Sequence, residues 1–79
     1  MTTVETIHDF PIIKATRLPN KPGNLPARII LVDRGEGYEF DRYVTALLPD
    51  GHREWAWGHY LNGLTEACAD FDARVTREG

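Results

Sequence analysis

Three histidines and one cysteine are the residues of this chain best suited to metal binding or nucleophilic chemistry: His8, His52, His59 and Cys68. Zinc ligands usually come in closely spaced pairs, and these four residues are scattered along the chain. A nucleophile built from Cys68 and His59 would need a shared cleft and a third group to orient the histidine. The spacing therefore predicts no metal site, no cofactor and no catalytic residue, and we expect a protein that is not an enzyme.

An aromatic stretch is the most distinctive chemical feature of the chain. Residues 53–61, R-E-W-A-W-G-H-Y-L, contain both tryptophans and one of the three tyrosines. An exposed cluster of Trp55, Trp57 and Tyr43 would mark a contact surface, because monomers seldom expose a large aromatic patch. Asp41 beside His59 would add a charged pair, and a cross-strand pair of this kind stabilises a sheet modestly.

The turn Pro49-Asp50-Gly51 determines which side of the sheet these rings occupy. Proline favours the second position of a type I turn, and glycine supplies the left-handed residue that closes a three-residue hairpin. This hairpin places one set of pairs on one face: Tyr43 with Trp57, Thr45 with Trp55, and Asp41 with His59. The other face pairs Val44 with Ala56, Arg42 with Gly58, and Phe40 with Tyr60. A loop one residue shorter or longer would move both tryptophans beside Val44 and Ala46.

The elements that carry these residues form one α+β domain over residues 1–79. The predicted strands are an edge strand at residues 10–18, an inner apolar strand at 27–33, a long strand at 38–48, and the aromatic stretch. Residues 19–26 contain three of the five prolines and are predicted to form a loop, and we expect residues 1–9 to form a frayed arm. The predicted fold is an antiparallel three- or four-stranded meander sheet with one C-terminal helix packed on one face.

The C-terminal helix is predicted over residues 64–77, and Thr65 or Asn62 can cap its start. Its apolar residues recur at helical spacing: Leu64, Ala67, Cys68, Phe71 and Val75. Because Ala56 and Gly58 are small, we expect the helix to pack on their side of the sheet and to leave the tryptophans on the open side. Two alternatives stay open, in which the indoles form the core beneath the helix or the N-terminal arm folds over them.

Composition and charge narrow the functional classes. No apolar run approaches the roughly 18 residues that span a bilayer, and the N-terminal residues lack the basic and apolar regions of a secretory signal. A single cysteine excludes an internal disulfide, so these features together predict a cytoplasmic protein. Residues 1–34 contain five basic and three acidic residues, whereas residues 35–79 contain four basic and nine acidic residues. The acidic second part would attract a basic partner and repel nucleic-acid phosphates.

The stretch W-A-W-G-H-Y-L, followed by L-T-E-A-C-A-D-F-D-A-R, resembles small accessory proteins of phages and mobile elements, some of which are anti-CRISPR inhibitors. The resemblance covers residues 43–74. It implies a stoichiometric inhibitor that docks on a basic surface of a host protein or nucleoprotein.

We therefore expect a non-enzymatic protein-binding module without membrane contact. It would bind its partner through acidic and aromatic residues: Tyr43, Trp55, Trp57, Asp41, His59, Glu66 and Asp70. The alternative is a single-stranded nucleic-acid-binding protein that stacks bases on Tyr43, Trp55 and Trp57. The acidic surroundings favour the protein partner, and an exposed sheet edge or an open aromatic face would also permit a homodimer.

Overall fold

The computed structural model describes residues 5–19, 23, 26–38 and 40–78, with the backbone alone described at residue 78. It shows an α+β fold in which a five-stranded antiparallel sheet precedes a C-terminal helix. The strands lie in the sheet in chain order: β1 (Thr6–Ile7), β2 (Phe10–Arg17), β3 (Ala27–Asp33), β4 (Tyr43–Pro49) and β5 (Ala56–Leu61), before helix α1 (Leu64–Glu78). The predicted fold class is confirmed, with five strands instead of three or four. The loop predicted at 19–26 falls largely outside the described residues.

Strand β3 is the centre of the sheet. Its four residues Ile29–Val32 have no exposed surface, and it pairs with β2 on one side and β4 on the other. A run of branched apolar residues favours this position, because an inner strand covered on both faces needs apolar side chains in both directions. The prediction of an inner strand at residues 27–33 is therefore confirmed.

Helix α1 packs on the face of the sheet that carries Ile29 and Leu31. Ala67 and Phe71 of the helix are buried against these two residues, and partly buried side chains surround them: Leu18, Tyr43, Leu47, Leu61, Cys68 and Val75. The prediction that the helix packs on the face that carries Val44 is wrong, because Val44 belongs to the core of the opposite face. The helix begins after Gly63, whose carbonyl accepts the Ala67 N–H at 2.9 Å, so neither Thr65 nor Asn62 occupies the cap position.

The opposite face is covered by Trp55 and by the N-terminal hairpin, which consists of β1 and the start of β2. Trp55 packs against the buried core of this face. The core consists of Ile7, Ile30, Val32, Val44, Ala46 and Leu48. Residues 1–4 lie outside the described chain, but residues 6–7 form a strand, where a frayed arm was expected. His8 and Asp9 turn the chain with φ angles of 53° and 67°. Because β1 pairs with Phe10 and Pro11, β2 is not an edge strand at its start, contrary to the prediction.

The connection between β4 and β5 is longer than predicted. Residues 50–55 separate the two strands, and Tyr43 pairs with Leu61 and Thr45 with His59. The Asp50 N–H donates to the Pro26 carbonyl at 2.9 Å, so β4 stays paired with the β3 side beyond the point of the predicted hairpin. β4 also begins at Tyr43 and not at residue 38. The predicted three-residue hairpin and its register are therefore wrong.

Candidate protein-binding edge

The regular pairing of β4 with β5 is interrupted by a bulge at Trp57. The register shifts between the pairs Thr45–His59 and Leu47–Ala56, so that Trp57 and Gly58 together lie opposite Ala46. Trp57 has a φ of 51°, in the left-handed region, and 73% of its surface is exposed. This backbone conformation costs an L-residue roughly 1–2 kcal/mol, and glycine usually occupies it in bulges of this type. A large exposed aromatic residue therefore occupies a position that disfavours it.

Arg74 of the helix stabilises this bulge. Only 4% of the Arg74 surface is exposed, and its Nη1 donates to the Trp57 carbonyl at 2.8 Å and to the Thr45 carbonyl at 2.9 Å. A buried guanidinium is stable only where acceptors surround it. Arg74 thus joins β4, β5 and α1 at the bulge and determines the position of the Trp57 backbone.

Asp70 lies one helical turn before Arg74 and completes a polar network. It accepts a hydrogen bond from the Thr45 hydroxyl and faces Nδ1 of His59 at 3.0 Å. Burial of Asp70 acts to raise its pKa, but the hydrogen bonds from Thr45 and His59 and the charge of Arg74 outweigh burial, so the pKa lies below its usual value. Asp70 therefore stays ionised at neutral pH beside β5.

The predicted pair of Asp41 with His59 is wrong. Asp41 is exposed, and its backbone carbonyl accepts a hydrogen bond from Nε of Arg34 at 2.9 Å. His59 instead pairs with Asp70, because the observed register places His59 opposite Thr45 on the helix side of the sheet.

The predicted aromatic face does not form. Tyr43 contributes to the core beneath the helix, whereas Trp55 packs on the opposite face with its ring 5.2 Å from that of His8, in an edge-on contact. Trp57 is exposed at the bulge. The alternative in which the N-terminal arm covers the indoles therefore holds for Trp55 and not for Trp57. Tyr43, Trp55 and Trp57, which were predicted to stack nucleic-acid bases, therefore do not form one surface.

The remaining predicted partner-binding residue, Glu66, lies one helical turn before Asp70 and is exposed. Trp57 contacts Arg74 and His59 contacts Asp70, so the helix runs antiparallel to β5. This direction places Glu66 toward the Leu61 end of the strand. We call the surface formed by Trp57, His59, Asp70 and Glu66 the β5 edge.

Two other surfaces were not foreseen. The Arg34 guanidinium stacks on the rings of Tyr38 and Tyr60, at 4.1 and 5.2 Å from their centroids, and Phe40 nearby in sequence is 72% exposed. A cavity of about 530 Å³ lies between the N-terminal hairpin and the β4–β5 loop. It is lined by nine residues: Glu5, Thr6, Ile7, His8, Arg28, Leu48, His52, Arg53 and Glu54.

Charged groups in this cavity are partly neutralised. The Arg28 guanidinium donates to Glu5 at 2.6 Å, and this hydrogen bond lowers the pKa of the Glu5 carboxyl. Among the described residues, no three His, Cys, Asp or Glu side chains are grouped so that they could hold a metal ion. Cys68 is half-buried on the helix, near the core and away from the cavity.

Within the described part of the chain, no helix is long and apolar enough to cross a membrane. Comparison with protein-family models, curated proteins and solved structures finds no match. The β5 edge combines an exposed tryptophan in a left-handed conformation with the Asp70 carboxylate of the adjoining helix, whose pKa is lowered.

Proposed function

We propose that this protein is a non-enzymatic protein-binding module that docks on a basic surface of its partner through the β5 edge. The observation that carries the proposal is the state of Trp57, which is 73% exposed with a φ of 51°. Unfavourable backbone conformations that the surrounding structure maintains are concentrated at functional sites. Here the buried Arg74 binds the Trp57 carbonyl at 2.8 Å, and the indole of the same residue is exposed to solvent.

The acidic residues of the adjoining helix support a basic partner. Glu66 and Asp70 lie on the same side of the helix, and the pKa of Asp70 is lowered. An indole attracts a guanidinium or ammonium group through its ring face, and nearby carboxylates attract the same groups through charge. Residues 35–79 contain more acidic than basic residues, so the electrostatic field of this part of the protein also attracts a basic partner at long range.

The resemblance of residues 43–74 to accessory proteins of phages supports a narrower proposal. In that proposal the module is a stoichiometric, anti-CRISPR-like inhibitor of a host protein or nucleoprotein. Such an inhibitor acts by occupying a basic surface that its target needs for another ligand, so its own surface requires complementarity of charge and shape.

The test is capture of the partner from host extract by immobilised protein, followed by quantitative mass spectrometry. We expect Trp57→Ala and Glu66→Arg to remove a partner that the unchanged protein retains. Phe40→Ala is the matched control for the tryptophan, because Phe40 is 72% exposed and lies outside the β5 edge. Asp72→Arg is the control for the charge reversal, because Asp72 is an exposed acid on the flank of the helix that faces Lys14.

Melting temperature and far-UV circular dichroism establish that each variant is folded. If both β5-edge variants are folded and retain every captured protein, the β5 edge is not the binding surface. Equal losses in the Phe40→Ala and Asp72→Arg controls would also contradict the assignment.

A further inference from the structure

We propose that the partner is an extended segment with arginine or lysine at alternate positions, and that it adds to the sheet as a sixth strand beside β5. This inference rests on the proposed function and specifies how the β5 edge is used. Addition of a strand supplies affinity through backbone hydrogen bonds and specificity through alternate side chains.

Strand β5 has an open side. Among the strands that the structure describes, it is the last in the sheet and pairs with β4 alone. Among the described residues, no backbone hydrogen bond from a turn or loop reaches residues 56–61. Beyond the bulge, the segment from His59 to Leu61 continues in regular extended conformation. Its outward N–H and C=O groups are therefore available to an added strand.

The spacing of the β5 edge fits a strand with alternating basic residues. Side chains on one face of a strand repeat about every 6.8 Å, because each residue advances by about 3.4 Å. Residues four apart in a helix are separated by about 6 Å along the helix axis. His59 already lies beside Asp70, and the next step along both elements places Leu61 toward Glu66. Trp57 lies in the bulge, outside this regular repeat, and meets Arg74 through its backbone carbonyl. Basic side chains at alternate positions of an added strand would therefore reach Asp70 and Glu66 in turn.

A second copy of this chain is a poorer occupant. Antiparallel pairing of two β5 strands around a two-fold axis would place both helices on the same face of the joined sheet. The carboxylates of Glu66 and Asp70 would then face their equivalents in the other copy, and like charges in such positions repel.

The experiment uses the full chain and a short synthetic peptide of alternating arginine and valine. Binding is measured by titration calorimetry, and protection of the amides from His59 to Leu61 that point away from β4 is measured by hydrogen exchange with NMR. Two peptides with the same charge are N-methylated, one at the valines and the other at the arginines. In an extended peptide the N–H groups of the valines lie on one edge and those of the arginines on the other, and only one edge can face β5. We therefore expect one methylated peptide to bind normally and the other to lose about tenfold or more in affinity.

Protein variants locate the site. Glu66→Arg should weaken binding of the unmodified peptide by about tenfold, whereas Asp72→Arg on the other flank of the helix should change it by less than about twofold. We also expect the outward-pointing amides of this segment to become protected when the peptide is added, while the amides that point toward β4 keep the protection they already have.

Three results would overturn the inference. Equal binding of all three peptides would show docking by charge without strand addition, and would leave the proposed function intact. Protection of the same amides in a concentration-dependent dimer without peptide would identify a second copy as the occupant. Absence of binding would reject the alternating basic strand, while the capture experiment with Trp57→Ala judges the proposed function separately.

Discussion

Replacement of Trp57 tests whether the β5 edge stores backbone strain. The two informative variants are Trp57→Gly and Trp57→Ala, because both remove the indole and differ only in their tolerance of a positive φ. At most positions in a strand alanine is the more stable of the two. At residue 57, where φ is 51°, we expect the order to reverse.

The magnitude follows from two opposing effects. A left-handed backbone costs alanine roughly 1–2 kcal/mol relative to glycine. Glycine increases the conformational freedom of the unfolded chain, which lowers the free energy of unfolding by about 0.4–1 kcal/mol relative to alanine. The difference makes Trp57→Gly the more stable variant by about 0.8 kcal/mol. For a domain of this size, this corresponds to a melting temperature higher by roughly 3–6 °C.

The assay is thermal and urea unfolding followed by circular dichroism. The same pair of substitutions at Tyr60 is the matched control, because Tyr60 lies on the same strand, is 51% exposed and is not among the described residues with positive φ. There alanine should be more stable than glycine by about 0.5–1 kcal/mol. If alanine is also the more stable residue at position 57, the bulge is not strained and the main support for the proposed function is lost.

Further predictions concern the polar network and the N-terminal hairpin. Arg74→Ala should lower the free energy of unfolding by about 1–3 kcal/mol for each carbonyl, of Thr45 and of Trp57, that loses its buried donor. A loss no larger than that of the exposed control Arg53→Ala in urea unfolding would contradict this. The lowered pKa of Asp70 means that its contribution to stability is present above the unfolded-state pKa of about 3.9 and is lost as the pH falls through the lower folded-state pKa. Urea unfolding across this acid range should therefore show a shallower fall for Asp70→Asn than for the unchanged protein, and parallel curves would refute it. Ile7→Ala should lower the free energy of unfolding by about 2–4 kcal/mol, since Ile7 is 6% exposed. The control Ile13→Ala should lower it much less, since Ile13 is 43% exposed. Equal losses in the two variants would show that the hairpin does not cover the core.

The elements whose pattern is local were predictable from the sequence. Residues 27–33 form the inner strand because their apolar run suits a position covered on both faces, and the helix follows the apolar spacing of Ala67 and Phe71. The pairing of β4 with β5 was not predictable in this way. A turn does form at the predicted residues, where the His52 N–H donates to the Pro49 carbonyl at 3.1 Å, but the chain rejoins the ladder only at Ala56, while the Asp50 N–H donates to the distant Pro26 carbonyl.

The register of β4 and β5 differs from the predicted one by four residues at Tyr43, which pairs with Leu61 and not with Trp57, and by three at Leu47, which pairs with Ala56. Only the odd shift exchanges the two faces, and the bulge that causes it is not visible in the sequence pattern.

The polar network was missed for a related reason. Thr45 suits a strand as a branched residue, and Arg74 suits the end of a helix as a cation, so neither needs a special role when considered alone. The available signal was the position of Arg74 three residues after Phe71, on the buried arc of the helix, with Asp70 four residues before it. A buried arginine requires acceptors, and Thr45 is the polar residue within the otherwise apolar strand β4 that meets this requirement.

The central strand also has a consequence for how the protein unfolds. Ile29 and Leu31 belong to the core beneath the helix, whereas Ile30 and Val32 belong to the core beneath the N-terminal hairpin. Neither core can open without exposing one face of a strand that the other core needs. The two halves should therefore lose structure in one cooperative transition, although the sheet separates them and each is covered by a different end of the chain.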